Sequence, residues 1–263
     1  MPFIKSLTID AGRQHPFPYN IPAIQFAQQI AFHDRITIFV GDNGTGKSTL
    51  LESIALSLNL PLTGGMIGGH KGFEAARILR PFVNFEWKKQ TNNGFFFRAE
   101  DFSDFINSVE REQEKIMRDL DELKGKVDDA IIERMSESMN YSLHAMREKY
   151  GENMQAYSHG EAYLTILQAR ILDKGIYLLD EPEAALSPLK QLSLMAFILQ
   201  VLKSNKVQFI IATHSPILMG IPEATIYEIR EDGMQQVGYK ETDHYRITKT
   251  FLDNPAHYLR HLE

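Results

Sequence analysis

The sequence contains no cysteine, and this absence excludes disulfide bonds, thiolate zinc sites and cysteine nucleophiles. It also lacks an uninterrupted apolar run of about 18 residues, the length that a membrane-spanning helix needs. The opening residues, MPFIKSLTID, do not show the basic and apolar pattern of a signal peptide. We therefore expect a cytoplasmic protein that is not inserted in a membrane.

Basic residues are not in excess, since 28 Lys and Arg stand against 34 Asp and Glu, for a net charge of −6. The chain therefore lacks the overall positive charge of general nucleic-acid binders, although a local basic groove formed in a dimer would not show in this sum. A length of 263 residues with 43% hydrophobic content is enough for one sizeable core. We predict a single domain over residues 1–263 that carries an insertion.

The apolar pattern predicts a mixed α/β chain. Residues 3–9 alternate between apolar and polar and are typical of a strand. Residues 175–179 and 207–212 are continuous apolar runs on either side of a predicted helix at 188–202. Such runs are typical of a parallel sheet that is covered by helices on both faces.

Two aromatic-rich segments, 81–87 and 94–98, predict a further pair of strands with a turn at residues 92–94, Asn-Asn-Gly. Residues 102–150 then show helical spacing, which fits one helix or a pair broken near Gly125. This insertion is either an ordinary helical subdomain or a partner-binding lever or short coiled coil.

The C-terminal segment, about residues 222–263, predicts a β-hairpin followed by a polar helix. Two short apolar runs flank Glu231-Asp232-Gly233, which has the composition of a hairpin turn. The helix should begin at about Thr242.

A glycine-rich segment, GDNGTGKS at residues 41–48, fits the pattern G-x-x-x-x-G-K-[ST]. It lies between a predicted buried strand at 35–40 and a predicted helix at 48–60, where backbone N–H groups and the helix N-terminus can bind phosphate. Lys47 should bridge the β- and γ-phosphates, and Ser48 should ligate Mg²⁺. The alternative is a chance glycine turn before a helix. The predicted nucleotide contacts are Asp42, Asn43, Gly44, Thr45, Gly46, Lys47, Ser48 and Thr49.

An apolar strand at 176–179 ends in two carboxylates, Asp180 and Glu181, at the sheet edge where open α/β folds bind ligands. We expect Asp180 to hold Mg²⁺ directly or through water, and Glu181 to orient and deprotonate an attacking water. The alternative is two acids that merely end a strand. Residues 205–208, NKVQ, do not form the guanine-reading N-K-x-D tetrapeptide, so adenine is the favoured base.

Two further segments complete an ordered set: YSHGEA at residues 157–162 and THS at residues 213–215. This set resembles the ABC ATPases. The resemblance implies that Ser158 and Gly160 contact the γ-phosphate held by an opposite subunit, and that His214 is a switch histidine which helps to position water. It also implies a head-to-tail homodimer in which neither subunit completes a site alone.

Ser158 also has a purely structural interpretation, because Glu161 follows three residues later and the two could form a helix capping box. Both interpretations can hold together.

More closely, the chain resembles the small standalone ATPases of the AAA family that are related to the SMC and RecF-like branch. The resemblance implies an α/β P-loop fold of the ABC ATPase head type, with a mainly parallel central sheet, an antiparallel N-terminal β region and a helical insertion. The similar phrases are GDNGTGKSTLLE, FFFRAE, SHGE, YLLDEPEAALSP, FIIATHSPIL and DNPAHYLRHL.

The resemblance also suggests two roles that the motifs do not fix. Glu100 occupies a plausible place for a lid residue that senses metal and water. An aromatic side chain that stacks on adenine is expected, with Phe17, Tyr19 and Phe32 as candidates, although each also fits a packing or loop role.

The function that we expect is Mg-dependent ATP hydrolysis that drives a protein or nucleic-acid partner, as in DNA repair or defence. Two alternatives stay open: the nucleotide-binding subunit of an ABC transporter, and a nucleotide-sensing interaction module with little turnover. The sequence does not name the partner.

Overall fold

Buried β-branched and aromatic residues build the strands of this protein. The computed structural model describes residues 1–10, 16–62, 73–102, 159–171, 174–204 and 206–260, together with residues 111, 114 and 118. The strands are β1 (Ile4–Ile9), β2 (Ile30–Ala31), β3 (Ile36–Gly41), β4 (Val83–Trp87), β5 (Gly94–Arg98), β6 (Lys174–Asp180), β7 (Lys206–Ala212), β8 (Thr225–Arg230) and β9 (Gly233–Val237).

The helices alternate with these strands along the chain. They are α1 (Pro22–Gln25), α2 (Lys47–Ser57), α3 (Glu74–Leu79), α4 (His159–Arg170), α5 (Pro188–Ser204), α6 (Pro216–Met219), α7 (Asp243–Asp253) and α8 (Pro255–Leu259). Short 3₁₀ turns lie at Arg80–Phe82, Ala99–Asp101 and Tyr239–Glu241.

The chain divides into two compact units. The first consists of Met1–Ala99 with Leu172–Glu263, and the second consists of Glu100–Ile171. The first unit contains the strands, and the described part of the second includes α4. The predicted insertion at 102–150 lies almost entirely outside the described residues, so its division from the core stays a prediction.

The first unit is built around a six-stranded sheet with the order β5-β6-β7-β3-β8-β9. The neighbouring strands from β5 through β6, β7 and β3 to β8 all pair in parallel, and β9 pairs antiparallel with β8. A second sheet, β2-β1-β4, is antiparallel. This arrangement confirms the predicted fold class, a mainly parallel central sheet with an antiparallel N-terminal β region.

The central strands are buried on both faces, which explains their continuous apolar runs. Ile38, Phe39 and Val40 of β3 are completely buried, as are Ile210 and Ile211 of β7. Phe39 and Ile210 form one hydrophobic cluster with residues of α2 and of the antiparallel sheet. The phosphate-loop strand is therefore a rigid element at the centre of the unit.

A buried side-chain amide joins the two sheets. Gln208, in β7, accepts hydrogen bonds from the backbone N–H groups of Phe3 and Ile4 at 2.8 and 2.9 Å. Its position in an otherwise apolar strand is stable because these bonds satisfy the buried oxygen. Gln208 thus fixes the start of β1 against the central sheet.

The predicted hairpin turn at residues 92–94 is wrong, because β4 and β5 do not pair with each other. β4 pairs with β1 in the antiparallel sheet, whereas β5 pairs in parallel with β6 in the central sheet. The reason lies at Gly94, whose φ is +145° and where an added Cβ would lie 1.9 Å from the carbonyl oxygen of Ile176. Glycine is needed at this position because β5 approaches β6 closely there, and not because the residue forms a two-residue turn.

The predicted C-terminal hairpin is confirmed, because β8 and β9 pair antiparallel around the turn at residues 231–232. The predicted polar helix begins at Asp243 but ends at Asp253, and α8 follows from Pro255. Asn254 lies between them with φ −151° and ψ 78°, outside the helical region that is disfavoured for a residue before proline. Among the described residues, no helix is both long enough and apolar enough to cross a membrane.

We predict that Gly94→Ala lowers the free energy of unfolding by roughly 2 kcal/mol or more, because its Cβ clashes with backbone that cannot move aside. Denaturant unfolding measures this change. Gly233→Ala is the matched control, since an added Cβ there meets nothing within 4 Å. A loss at Gly94 no larger than at Gly233 would contradict the structural account.

Candidate functional site

The phosphate-binding loop connects the carboxyl end of β3 to the first residue of α2, Lys47. Gly46 caps the helix with φ at +90°, a left-handed conformation that favours glycine. An added Cβ at this position would lie 2.0 Å from the Cγ2 atom of Ile21. The loop therefore needs glycine here for both its conformation and its packing.

The Lys47 ammonium lies inside this loop. Its side chain is buried, and Nζ donates hydrogen bonds to the carbonyl oxygens of Gly41 and Asp42 at 2.8 and 2.9 Å. Burial lowers the pKa of Lys47, while the nearby carboxylates of Glu181 and Asp180 act in the opposite direction. An anion placed inside the loop would compete directly with these two carbonyl groups for the ammonium.

A cleft of about 510 Å³ opens in front of the loop, within the usual range of roughly 300–1,000 Å³ for ligand pockets. The wall of the cleft includes Lys47, Ser48 and Thr49 from the start of α2, and Glu181 adds a carboxylate to the lining. The backbone N–H groups at the start of α2 favour an anion at this wall. The remaining lining residues are Phe17, Asn20, Ile21, Pro22, Asn43, Gly44 and Gly46.

Asp180 ends β6 beside the loop. Ser48 donates a hydrogen bond to its carboxylate, whereas Asp180 Oδ1 is buried and has no hydrogen-bond partner among the described residues. Burial raises the pKa of Asp180 to about 6, and the charges of Arg98 and Lys47 only partly oppose this effect. A buried carboxylate oxygen without a partner, next to a serine hydroxyl, is a donor set that fits Mg²⁺.

Glu181 follows in a strained conformation. Its φ is +49°, a left-handed value that is uncommon for residues other than glycine, and such strain concentrates at functional sites. Its backbone N–H donates to the carbonyl oxygen of Ala212, the last residue of β7, at 2.9 Å. This bond turns the chain at the sheet edge and leaves the carboxylate partly exposed in the cleft.

His214 approaches the same carboxylate from the end of β7. Its Nε2 atom lies 3.6 Å from Glu181 Oε1 and has no hydrogen-bond partner in the described part of the chain. Burial lowers the pKa of His214. The structure therefore brings together a carboxylate and an imidazole, the two groups for which the sequence predicts the roles of base and switch histidine.

Two residues that the sequence motifs do not single out, Glu183 and Gln191, hold the loop after β7 that contains His214 and Ser215. Glu183 accepts hydrogen bonds from the backbone N–H groups of His214 and Ser215 at 2.6 and 3.2 Å. Gln191, in α5, accepts a hydrogen bond from the Ser215 hydroxyl at 2.5 Å. An acid two residues after the Asp-Glu pair was the only signal for Glu183, and it is ambiguous because surface acids are common.

A third residue missed by the sequence motifs is His244, in the first turn of α7. Its Nε2 atom lies 3.0 Å from His214 Nδ1, and the two ring centroids are 5.2 Å apart. The two residues are 30 positions apart along the chain, so only the fold reveals the pair.

The remaining predicted site residues are Ser158 and Gly160, in the segment at residues 157–162, and Glu100, the predicted lid residue. Ser158 lies outside the described residues. Gly160 lies in the first turn of α4, and Glu100 lies in the short turn that follows β5. Both belong to the second unit, and their roles in the site stay predictions.

The three aromatic candidates for adenine stacking differ clearly. Phe32 is buried in the core, and Tyr19 packs edge-on against Phe82 at a centroid distance of 5.7 Å. Phe17 is 64% exposed and lines the cleft in front of the phosphate loop. Of the three, Phe17 is therefore the side chain placed to meet a base.

A protein-family model described as "AAA domain, putative AbiEii toxin, Type IV TA system" matches residues 88–220, half of the chain. The chain belongs to this family of AAA domains. The match contains the acid pair, Glu183 and His214, while the phosphate loop precedes it along the chain. Membership confirms the resemblance to small P-loop ATPases of the AAA type that the motifs predict.

Three solved structures are similar to this chain in their chain trace over most of its length. An inward-facing "putative metal-chelate type ABC transporter" is 16% identical with a TM-score of 0.49, covering 94% of this chain and 88% of its own. The Smc head domain from Pyrococcus furiosus, bound to the C-terminal domain of ScpA, is 15% identical with a TM-score of 0.45, covering 90% and 96%.

MJ1267, an ATP-binding cassette of an ABC transporter, is 16% identical with a TM-score of 0.47, covering 97% of both chains. No curated protein matches the sequence.

We predict that Asp180→Asn stabilises the ligand-free protein at about pH 7.5 by roughly 1–3 kcal/mol. The pKa of Asp180 rises from 3.8 to about 6 on folding, so the native state is penalised as pH rises through this window, and the penalty is complete above it. Below the window both states hold the proton, and the difference between variant and parent should disappear.

Denaturant unfolding with a metal chelator present, at about pH 7.5 and about pH 3, measures this difference. Asp232→Asn, in the exposed turn between β8 and β9, is the control and should change stability little at either pH. A destabilised Asp180→Asn protein at the higher pH would show that the buried carboxylate is instead a stabilising group.

Proposed function

We propose that this protein binds Mg-ATP in the cleft in front of the phosphate loop and hydrolyses it, with a second copy of the chain completing the site. The observation that carries the proposal is convergence. Lys47 and Ser48 follow β3, Asp180 ends β6 and Glu181 follows it, and His214 follows β7. Three adjacent strands thus bring an ammonium, a hydroxyl, two acids and an imidazole to one edge.

The phosphates bind at the loop and the start of α2. Backbone N–H groups of residues 42–49 face the phosphate oxygens, with the positive end of the helix behind them. Lys47 exchanges its bonds to Gly41 and Asp42 for bonds to the phosphate oxygens. This exchange needs little movement, because the ammonium already lies inside the loop.

Ser48 and Asp180 would hold Mg²⁺. When bound, the ion neutralises charge on the β- and γ-phosphates. The orphaned Oδ1 atom of Asp180 then gains a partner, which removes the penalty that raises its pKa. Ion binding and folding of this edge are therefore coupled.

Glu181 and His214 act on the attacking water. Glu181, held by the backbone bond to Ala212, accepts the proton of the water as a general base. His214 Nε2, 3.6 Å from that carboxylate, contacts the γ-phosphate and orients the same water. The proposal assigns these two residues the chemical step.

The proposal takes the second half of the site from the resemblance to ABC ATPases. Ser158 and Gly160 of a second copy contact the γ-phosphate, which makes a homodimer the active species. Glu100 is the lid residue that senses metal and water. A cytoplasmic location belongs to the same proposal, since ATP is abundant there.

Closure of the dimer on ATP and its opening after hydrolysis would move a partner, either a protein or a nucleic acid. A nucleotide-sensing module with little turnover is the second candidate, because Glu161 stands where the ABC signature has glutamine. A transporter subunit is the third, and co-purification with a membrane protein would favour it. Single-turnover hydrolysis separates the first two.

We predict that Lys47→Ala abolishes both ATP binding and phosphate release, because the buried ammonium is the main cation of the loop. Glu181→Gln should keep binding but slow phosphate release by about a hundredfold or more, and it should accumulate as a dimer with Mg-ATP. Calorimetry, phosphate release and light scattering measure the three quantities.

Lys203→Ala, at the exposed end of α5, is the matched lysine control and should behave like the parent. Phosphate release by Lys47→Ala at the parental rate would refute the assignment. The absence of any dimer of Glu181→Gln with Mg-ATP would refute the shared site.

We also predict that Phe17→Ala weakens ATP binding by about tenfold, since the loss of a stacked aromatic costs roughly 1–3 kcal/mol per base. Phe17→Trp should retain parental affinity. Inorganic triphosphate, which has no base, should bind the alanine variant and the parent equally in calorimetry. An equal loss for triphosphate would show that Phe17 shapes the loop and does not contact the base.

A further inference from the structure

His244 contacts the switch histidine from an element outside the phosphate-loop motifs. Its Nε2 atom and His214 Nδ1 are 3.0 Å apart, which is a hydrogen-bond distance between two ring nitrogens. On its other side, His214 presents Nε2 to the carboxylate of Glu181 at 3.6 Å. The three side chains therefore form a row from the cleft to the start of α7.

The first turn of α7 is firmly attached to β8. Thr242, the buried N-cap residue, accepts a hydrogen bond from the N–H of Tyr245. Asp243 N–H donates to the buried Glu228 at 2.9 Å, and Arg230 binds both of these acids at 2.7 and 3.0 Å. His244 is therefore held in place by bonds on either side of it.

The protons in this row can be assigned from the surroundings. Two ring nitrogens at hydrogen-bond distance share a single N–H, so one ring is the donor and the other the acceptor. Burial lowers the pKa of both His214 and His244, which disfavours the charged form of each ring. A bare lone pair on His214 Nε2 would face the Glu181 carboxylate, whereas an N–H there is attracted to it. The proton of His214 is therefore on Nε2, and His214 Nδ1 is an acceptor.

The same assignment suits His244. Its Nε2–H then donates to His214 Nδ1, and its Nδ1 carries a lone pair. His244 Nδ1 is buried without a hydrogen-bond partner among the described residues. Either assignment leaves one buried N–H without a hydrogen-bond partner among the described residues, and only this one places that N–H beside a carboxylate, that of Glu181.

We propose that His244 is a positioning residue: its Nε2–H fixes the tautomer and ring orientation of His214, so that His214 Nε2–H faces Glu181 and the γ-phosphate. The inference rests on the proposed function for its chemical meaning, but the hydrogen bond itself does not. His244 does not touch the substrate in this scheme and acts only through His214.

The kinetic test uses two substitutions of the same residue. His244→Phe keeps a ring but removes the donor, and it should lower kcat for ATP about 10- to 100-fold with KM changed less than about twofold. His244→Gln places an amide N–H where Nε2–H stood and should restore most of the lost kcat. His33→Phe, at an exposed histidine before β3, is the control and should match the parent.

A merely structural role for His244 predicts a different pattern, in which both variants lose stability and activity together. Circular dichroism and denaturant unfolding therefore accompany the kinetics. Parental kcat in the phenylalanine variant, or an equal loss in the glutamine variant with unchanged stability, would overturn the proposal.

The second readout does not depend on turnover. In ¹⁵N-histidine-labelled protein, long-range proton–nitrogen correlation gives the tautomer of His214, with its signals assigned by their loss in His214→Gln. The parent and His244→Gln should show the Nε2–H tautomer, and His244→Phe should show a mixture of tautomers.

An Nδ1–H tautomer of His214 in the parent would also overturn the proposal. If the parent releases no phosphate from ATP, the proposed function fails, while the tautomer measurement still decides the role of His244.

Discussion

Strand β7 pairs in parallel with β3 on one side and with β6 on the other, and the geometry of the site depends on this double pairing. Ala212, at the end of β7, is in register with both Phe39 and Asp180. Parallel strands that end together place their succeeding loops at one edge. The glycine loop, the acid pair and His214 are neighbours because β6 and β7 end at the same level and β3 ends two residues beyond it.

This edge brings together groups that are unfavourable in isolation. Asp180 is a buried acid whose Oδ1 atom has no partner among the described residues, and Glu181 has a left-handed backbone. Both costs persist because the surrounding strands are packed into the core and fix the backbone. The rigid sheet thus keeps charge and strain in place, and under the proposed function a bound polyanion with its metal would relieve them.

Local patterns were enough to predict the central elements of the site. The phosphate loop, the acid pair and His214 are each recognisable because a glycine-rich segment or a polar group directly follows an apolar strand. The parallel sheet could also be predicted, since continuous apolar runs alternate with helices. In these cases the chemistry and the strand that positions it lie within a few residues of each other.

The features that sequence reasoning missed depend on distant pairing. Gln208 interrupts an apolar strand, and only its bonds to Phe3 and Ile4 explain why it is there. The segment at 92–94 has the composition of a hairpin turn, although Gly94 pairs with Ile176 in β6. His244 lies on α7, whose composition predicts only a polar helix. No local pattern encodes these contacts, because each partner comes from a separate element.

The position of α7 has one more consequence. Its first turn is fixed to β8, but further along it Ile247 and Leu252 are 58% and 71% exposed. Hydrogen bonds weaken steeply over a few tenths of an ångström, so a small rotation of this helix would separate the two imidazoles. A partner that binds the outer surface of α7 would therefore alter the reactivity of the cleft. Thermodynamic reciprocity then requires that a ligand in the cleft alter the affinity of that partner.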